Sequence, residues 1–212
     1  MKIFIDSADI QEIKQALELG LCDGITTNPS LIAKTGKGHA EVIKEVCALT
    51  DVPVNAETVG VTYKEIIAEG SELSKIAENV VIKIPINKDG LRAVRYFSEK
   101  GIATTVTLIF SVSQALLAAK AGAAFIAPFV GRLDDISRDG MELIEDIVEV
   151  YDIYDLETEV IVASVRSPLH FKQAALAGAD AITVPFSLID KLLADPLTDA
   201  GIAKFLLDAG KK

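Results

Sequence analysis

The sequence predicts an α/β fold, a single-domain (β/α)8 barrel with an extra C-terminal helix. Strand-like and helix-like segments alternate along the chain in about eight units with short connections, the pattern of a parallel sheet. The strand-like runs are predominantly apolar. The clearest is Val80-Val81-Ile82-Lys83-Ile84-Pro85-Ile86. Such a run belongs to a strand covered on both faces. The turn after the first strand, Asp6-Ser7-Ala8-Asp9, is not the glycine-rich loop that a doubly wound nucleotide-binding sheet carries there. With 212 residues the chain sits near the short end of the barrel range, and residues 1–212 are expected to form one domain.

Each element has a local reason. Residues 2–6 read as the first strand, and Asp9 with Glu12 opens a helix that Gly20 ends. Residues 24–28 form the second strand, followed by Pro29-Ser30 and a helical region that resumes near His39. The third strand covers 52–59, and Thr62 with Glu65 makes a capping box for a helix to about Ala77. The fourth strand is 80–86, and its helix runs from about Asp89 to Glu99. The fifth is 103–110, after which Ser111 and Gln114 form a second capping box for a helix ending near Gly122. The sixth strand, 125–130, leads into a charged loop, 132–139, and a helix to about Tyr151. The seventh is 159–165, with Pro168 suited to the first turn of its helix. The eighth, 181–184, precedes a helix near 188–194, Pro196, and a last amphipathic helix over about 198–209.

Half of the residues are apolar, enough to fill a core, and no apolar run reaches transmembrane length. The opening residues Met1 to Asp6 read as a strand rather than a signal peptide. Cys22 and Cys47 form neither a disulfide framework nor a metal motif, which suggests buried thiols of a cytosolic protein. The balance of 21 basic to 31 acidic residues argues against general nucleic-acid binding, so an anionic ligand must be held by a few placed cations. His39 and His170 stand apart from each other and from the cysteines, so no zinc site is expected and both are taken as surface residues.

Barrel enzymes place their chemistry at the C-terminal strand ends, and side chains two apart along a strand share a face. That rule selects Asp6, Thr26, Asn28, Asn55, Glu57, Lys83, Thr105, Thr107, Ser164 and Arg166, with Arg132 just past the sixth strand. Lys83 has two readings. Inside a closed barrel its amine is partly desolvated, which favours the free nucleophile. An isolated strand lysine equally lets its head escape to water at the strand end. Asp6 can simply cap a helix, Thr105 and Thr107 are ordinary strand formers, and Arg132 can pair with Asp134 or Asp135. Taken together they put one lysine, two carboxylates, hydroxyls and two arginines around one rim. A neutral lysine attacks a ketone to give an imine, which becomes an electron sink once protonated. One carboxylate then serves imine formation through a water, and the other takes a hydroxyl proton as the adjacent carbon–carbon bond breaks. Two arginines suit a phosphate.

Five stretches carry a resemblance over essentially the whole length. They are Ile5-Asp6-Ser7-Ala8-Asp9; Gly24-Ile25-Thr26-Thr27-Asn28-Pro29-Ser30-Leu31; Val81-Ile82-Lys83-Ile84-Pro85; Thr105-Val106-Thr107-Leu108-Ile109-Phe110; and Phe129-Val130-Gly131-Arg132-Leu133-Asp134-Asp135. In this order they resemble the small transaldolases and the related fructose-6-phosphate aldolases. The resemblance implies a Schiff-base Lys83, with Asp6 as general acid/base and Glu57 and Thr107 holding a catalytic water. It also implies Asn28 on substrate hydroxyls and Arg132, Ser164 and Arg166 on a sugar phosphate, without a cofactor. Thr26 and Phe129 are expected to line the substrate site. Glu57 and Phe129 match the transaldolase branch, the aldolase branch having Gln and Tyr there. The family forms pentameric rings, often paired into decamers, so a homo-oligomer is expected, with neither membrane nor nucleic acid as partner.

Overall fold

The structure is a computed structural model and describes residues 1–211. The chain alternates as expected. It runs β1 (Lys2–Asp6), α1 (Ile10–Glu18), β2 (Gly24–Thr26), α2 (Pro29–Thr35), α3 (His39–Cys47), β3 (Val54–Glu57) and α4 (Tyr63–Leu73). It continues through β4 (Val80–Pro85), α5 (Lys88–Ser98), β5 (Thr104–Ile109), α6 (Val112–Ala121), β6 (Phe125–Pro128) and α7 (Val130–Asp134). It ends with α8 (Gly140–Ile153), β7 (Glu159–Val162), α9 (Pro168–Leu176), β8 (Ala181–Val184), α10 (Ser187–Leu193) and α11 (Pro196–Asp208). All eight strands pair in parallel in sequence order, and β8 closes onto β1, making a (β/α)8 barrel.

Strand alternation separates two packing layers. Ile25, Val54, Ile82, Ile84, Val106 and Ile126 are fully buried under the surrounding helices. The other face of the strands fills the barrel. At its lower end Phe4, Ile161, Ala181 and Phe125 form an apolar plug, with the Phe4 and Phe125 rings edge to face at 6.3 Å. Gly24 leaves room for this plug, because a Cβ there would run into the Phe4 ring. Above the plug the inward positions turn polar. The register sets Asp6 beside Thr26, Thr26 beside Asn55, Glu57 beside Lys83, and Lys83 beside Thr105.

Several boundaries differ from the sequence reading, and each has a local cause. β2 stops at Thr26 because Asn28 turns out to cap α2, its Oδ1 accepting from Leu31 N–H at 3.0 Å. Instead of an uninterrupted charged loop after β6, Val130–Asp134 forms the short helix α7. Two of its first donors are satisfied from outside, Val130 N–H by Ala163 O and Gly131 N–H by Ser164 O. The Thr62–Glu65 capping box is present, whereas Gln114 reaches past Ser111 to the N–H of Phe110. α4 ends at Leu73, short of Ala77. Among the described residues no helix is long and apolar enough to cross a membrane.

Candidate active site

The apolar β4 carries Lys83 into the barrel, where the residue is 5 % exposed. Its Nζ donates to the Thr27 carbonyl at 3.0 Å and lies 2.9 Å from Glu57 Oε2 on the neighbouring strand. The reading in which the lysine head escapes to water is therefore excluded. An ammonium held this way is paired, and Glu57 sits where it can take the proton that frees the amine.

Asp6, an inward position of β1, lies within the field of the Lys83 ammonium. Burial pushes its carboxyl above the ordinary 3.8, and the Lys83 ammonium, the Thr26 hydroxyl and Lys34 only partly oppose that. Thr26 donates to Asp6 Oδ1 at 2.7 Å, and the Thr183 hydroxyl lies 2.6 Å from that of Thr26. This hydroxyl chain fixes the carboxylate from behind. Asn55 accepts a short hydrogen bond from Thr105, and its Nδ2 donates to Ile25 O at 3.4 Å. The Thr107 hydroxyl is buried and has no hydrogen-bond partner among the described residues. A buried hydroxyl in that condition is costly unless a water or ligand completes it. Thr107 sits at a register shift in which Leu108 adopts φ +61°.

The remaining candidates form a second group around α7 and the connection after β7. The Phe129 ring meets Phe110 edge to face at 5.9 Å, and the Arg132 guanidinium lies 4.9 Å from the Phe129 centroid. Asp134 and Asp135 do not pair with Arg132. Asp135 instead grips Arg166 with both oxygens, which holds its carboxyl below the usual range, and Asp134 contacts His170. Ser164 adopts φ +61° and its carbonyl accepts from Gly131 N–H. Among the described residues the two arginines share no hydrogen-bonded partner. The inner residues make direct contacts in two groups, Lys83 with Glu57 and Thr27, and Asp6 with Thr26 and Thr183, linked by the charge of Lys83 acting on Asp6.

Three participants were missed in the sequence. Thr183 is legible in hindsight from its alternation with Ala181. The Thr27 carbonyl carries no sequence signal at all. His170, expected at the surface, has a side chain only 12 % exposed and both nitrogens engaged. No cluster of metal-ligating side chains occurs among the described residues. A separate cleft of about 520 Å³ beside α2 is lined by Asp9, Lys34 and Lys37 and does not include Lys83.

A buried lysine close to two carboxylates inside a (β/α)8 barrel is an arrangement that aldolase-type chemistry can use. Comparison with known proteins narrows this. The family model described as Transaldolase/Fructose-6-phosphate aldolase matches residues 3–211, and the chain belongs to that family. It is 57% identical over 211 residues to a probable transaldolase of Leptospira biflexa, covering 100% of this chain and 99% of the relative. It is 56% identical over 208 residues to a probable transaldolase of Methanococcus maripaludis, covering 98% and 97%. A thiamine phosphate pyrophosphorylase structure from Pyrococcus furiosus superposes with TM-score 0.61 at 15% identity, covering 90% of this chain and 93% of that one, which is a likeness of fold alone.

Proposed function

We propose that this enzyme is a transaldolase of the pentose phosphate pathway. It moves a dihydroxyacetone unit from a ketose phosphate to an aldose phosphate through a Schiff base on Lys83. The observation that carries this reading is the buried Lys83 amine, 2.9 Å from Glu57 and in the field of Asp6.

Glu57 takes the proton that frees Lys83, and the amine adds to the donor ketone. Glu57 and Thr107 hold the water that relays protons as the carbinolamine loses hydroxide and becomes the iminium. The buried hydroxyl of Thr107 gains its partner in that water. Asp6 takes the hydroxyl proton of the neighbouring carbon, the carbon–carbon bond breaks, and its electron pair moves into the iminium to leave an enamine. An acceptor aldehyde reverses these steps. Asn28 holds substrate hydroxyls through its amide nitrogen, its Oδ1 being committed to the Leu31 N–H. Arg132, Ser164 and Arg166 hold the phosphate, which replaces the Asp135 carboxylate on the Arg166 fork.

Phe129 favours transfer over release. It has no hydroxyl to protonate the enamine, so the enamine persists until an acceptor arrives. Incubation with a ketose phosphate tests this. Transaldolase action requires an acceptor, whereas rapid stoichiometric release of dihydroxyacetone without one would establish a fructose-6-phosphate aldolase instead. We further infer a homo-oligomer assembled through α11, none of whose residues is buried although Leu197, Phe205 and Leu207 are apolar.

A further inference from the structure

His170 is the third residue of α9, and its ring joins two connections at the barrel mouth. Ser167 caps the helix by accepting from His170 N–H at 3.3 Å. A glutamate at this position would reach back to the cap residue. The imidazole does something else. Its Nδ1 accepts from the backbone N–H of Arg166, one residue upstream of the cap, at 3.3 Å. Nδ1 is thereby the unprotonated nitrogen, so Nε2 carries the hydrogen and donates it to Asp134 Oδ2 at 2.8 Å. The other Asp134 oxygen accepts from Gly140 N–H at 3.1 Å, which ties α7 to the start of α8.

Adjacent aspartates therefore hold the two ends of Arg166. Asp135 grips the guanidinium directly, and Asp134 holds the backbone through His170. The Arg166 stem passes so close over Gly131 that a Cβ there would meet its Nε at 2.7 Å. With both nitrogens spent, the ring has none left for a substrate.

The geometry points to His170 as a positioning residue that sets the Arg166 backbone and so orients the guanidinium for the substrate phosphate. This inference rests on the reading of Arg166 as a phosphate ligand. An arginine whose backbone is already held loses less freedom when its guanidinium passes from Asp135 to the phosphate, so the bridge appears as affinity for the phosphorylated substrate.

The test measures kcat/KM for a ketose phosphate and for the same ketose without phosphate. The ratio of the two is expected to fall roughly three- to tenfold in His170→Ala, the worth of one lost orienting hydrogen bond. His170→Asn, whose Oδ1 takes the place of Nδ1, is expected to recover at least half of the loss. His170→Gln keeps a donor for Asp134 but no acceptor for Arg166. It carries the same expectation as alanine should that variant not fold. Amide exchange at Arg166 is expected to quicken in His170→Ala. An unchanged ratio in His170→Ala, where Arg166→Ala lowers it, overturns the role of His170 and leaves the phosphate reading standing. An unchanged ratio in Arg166→Ala overturns both. A lowered ratio without faster Arg166 exchange overturns the backbone link.

Discussion

Asp6 shows what burial costs a carboxylate. Burial raises its carboxyl, so the folded chain holds that proton more tightly than the unfolded chain does. The associated stability is fully present below the ordinary value of 3.8 and is lost as pH rises through the elevated one. Asp6→Asn keeps an acceptor for Thr26 without the buried charge. It is expected to unfold at a higher temperature than the parent at pH 7, with the difference closing towards pH 4, and to be inactive. Calorimetry over that range checks the sign. Thr107 makes the complementary case. Thr107→Val removes a buried hydroxyl that has no partner. Stability is expected to hold or to rise by about 1 kcal/mol, while kcat falls at least tenfold, on the order of a lost proton relay. Most of these residues were legible in the sequence because strand alternation makes each inward polar position conspicuous among valines and isoleucines. Backbone groups such as the Thr27 carbonyl were not, since every residue has one.

Elements were harder to bound than to find. The strands of the barrel announce themselves through apolar runs, yet β2, β3 and β7 are shorter than those runs. Their last residues leave the ladder to cap helices or to carry site residues. Helix α7 was invisible among the charges of 132–139, because the backbone of Ala163 and Ser164, distant in sequence, satisfies its first donors. Gly131 lies at that junction, and a Cβ there would collide with the Ser164 carbonyl and the Arg166 stem. Gly131→Ala is expected to cost roughly 1–3 kcal/mol, the range for forced overpacking. It should also weaken binding of the phosphorylated substrate more than that of its unphosphorylated counterpart. Denaturant titration and paired kinetics measure the two effects, and an effect on neither would remove this junction from the account.

At the scale of the molecule, the closed barrel was the most legible feature, since eight alternating units admit few other arrangements. Helix α11 was read as amphipathic, suited equally to covering its own barrel or to reaching a neighbour. It buries none of its residues, and Leu197, Phe205 and Leu207 are 82%, 71% and 73% exposed. Apolar side chains exposed in such number suit the assembly proposed above. Light scattering is expected to give a mass that is a multiple of 22.6 kDa, and Phe205→Glu is expected to lower it while leaving the far-ultraviolet circular dichroism unchanged. A parent protein of monomer mass would exclude assembly through this helix.

The central claim is that the Lys83 amine becomes covalently bonded to substrate. Borohydride reduction in the presence of a ketose phosphate, followed by peptide mass spectrometry, tests it most directly. A stable adduct on the peptide containing Lys83, absent in Lys83→Met, is the result this account predicts. An active enzyme that yields no adduct, or one that carries it on another lysine, would contradict it.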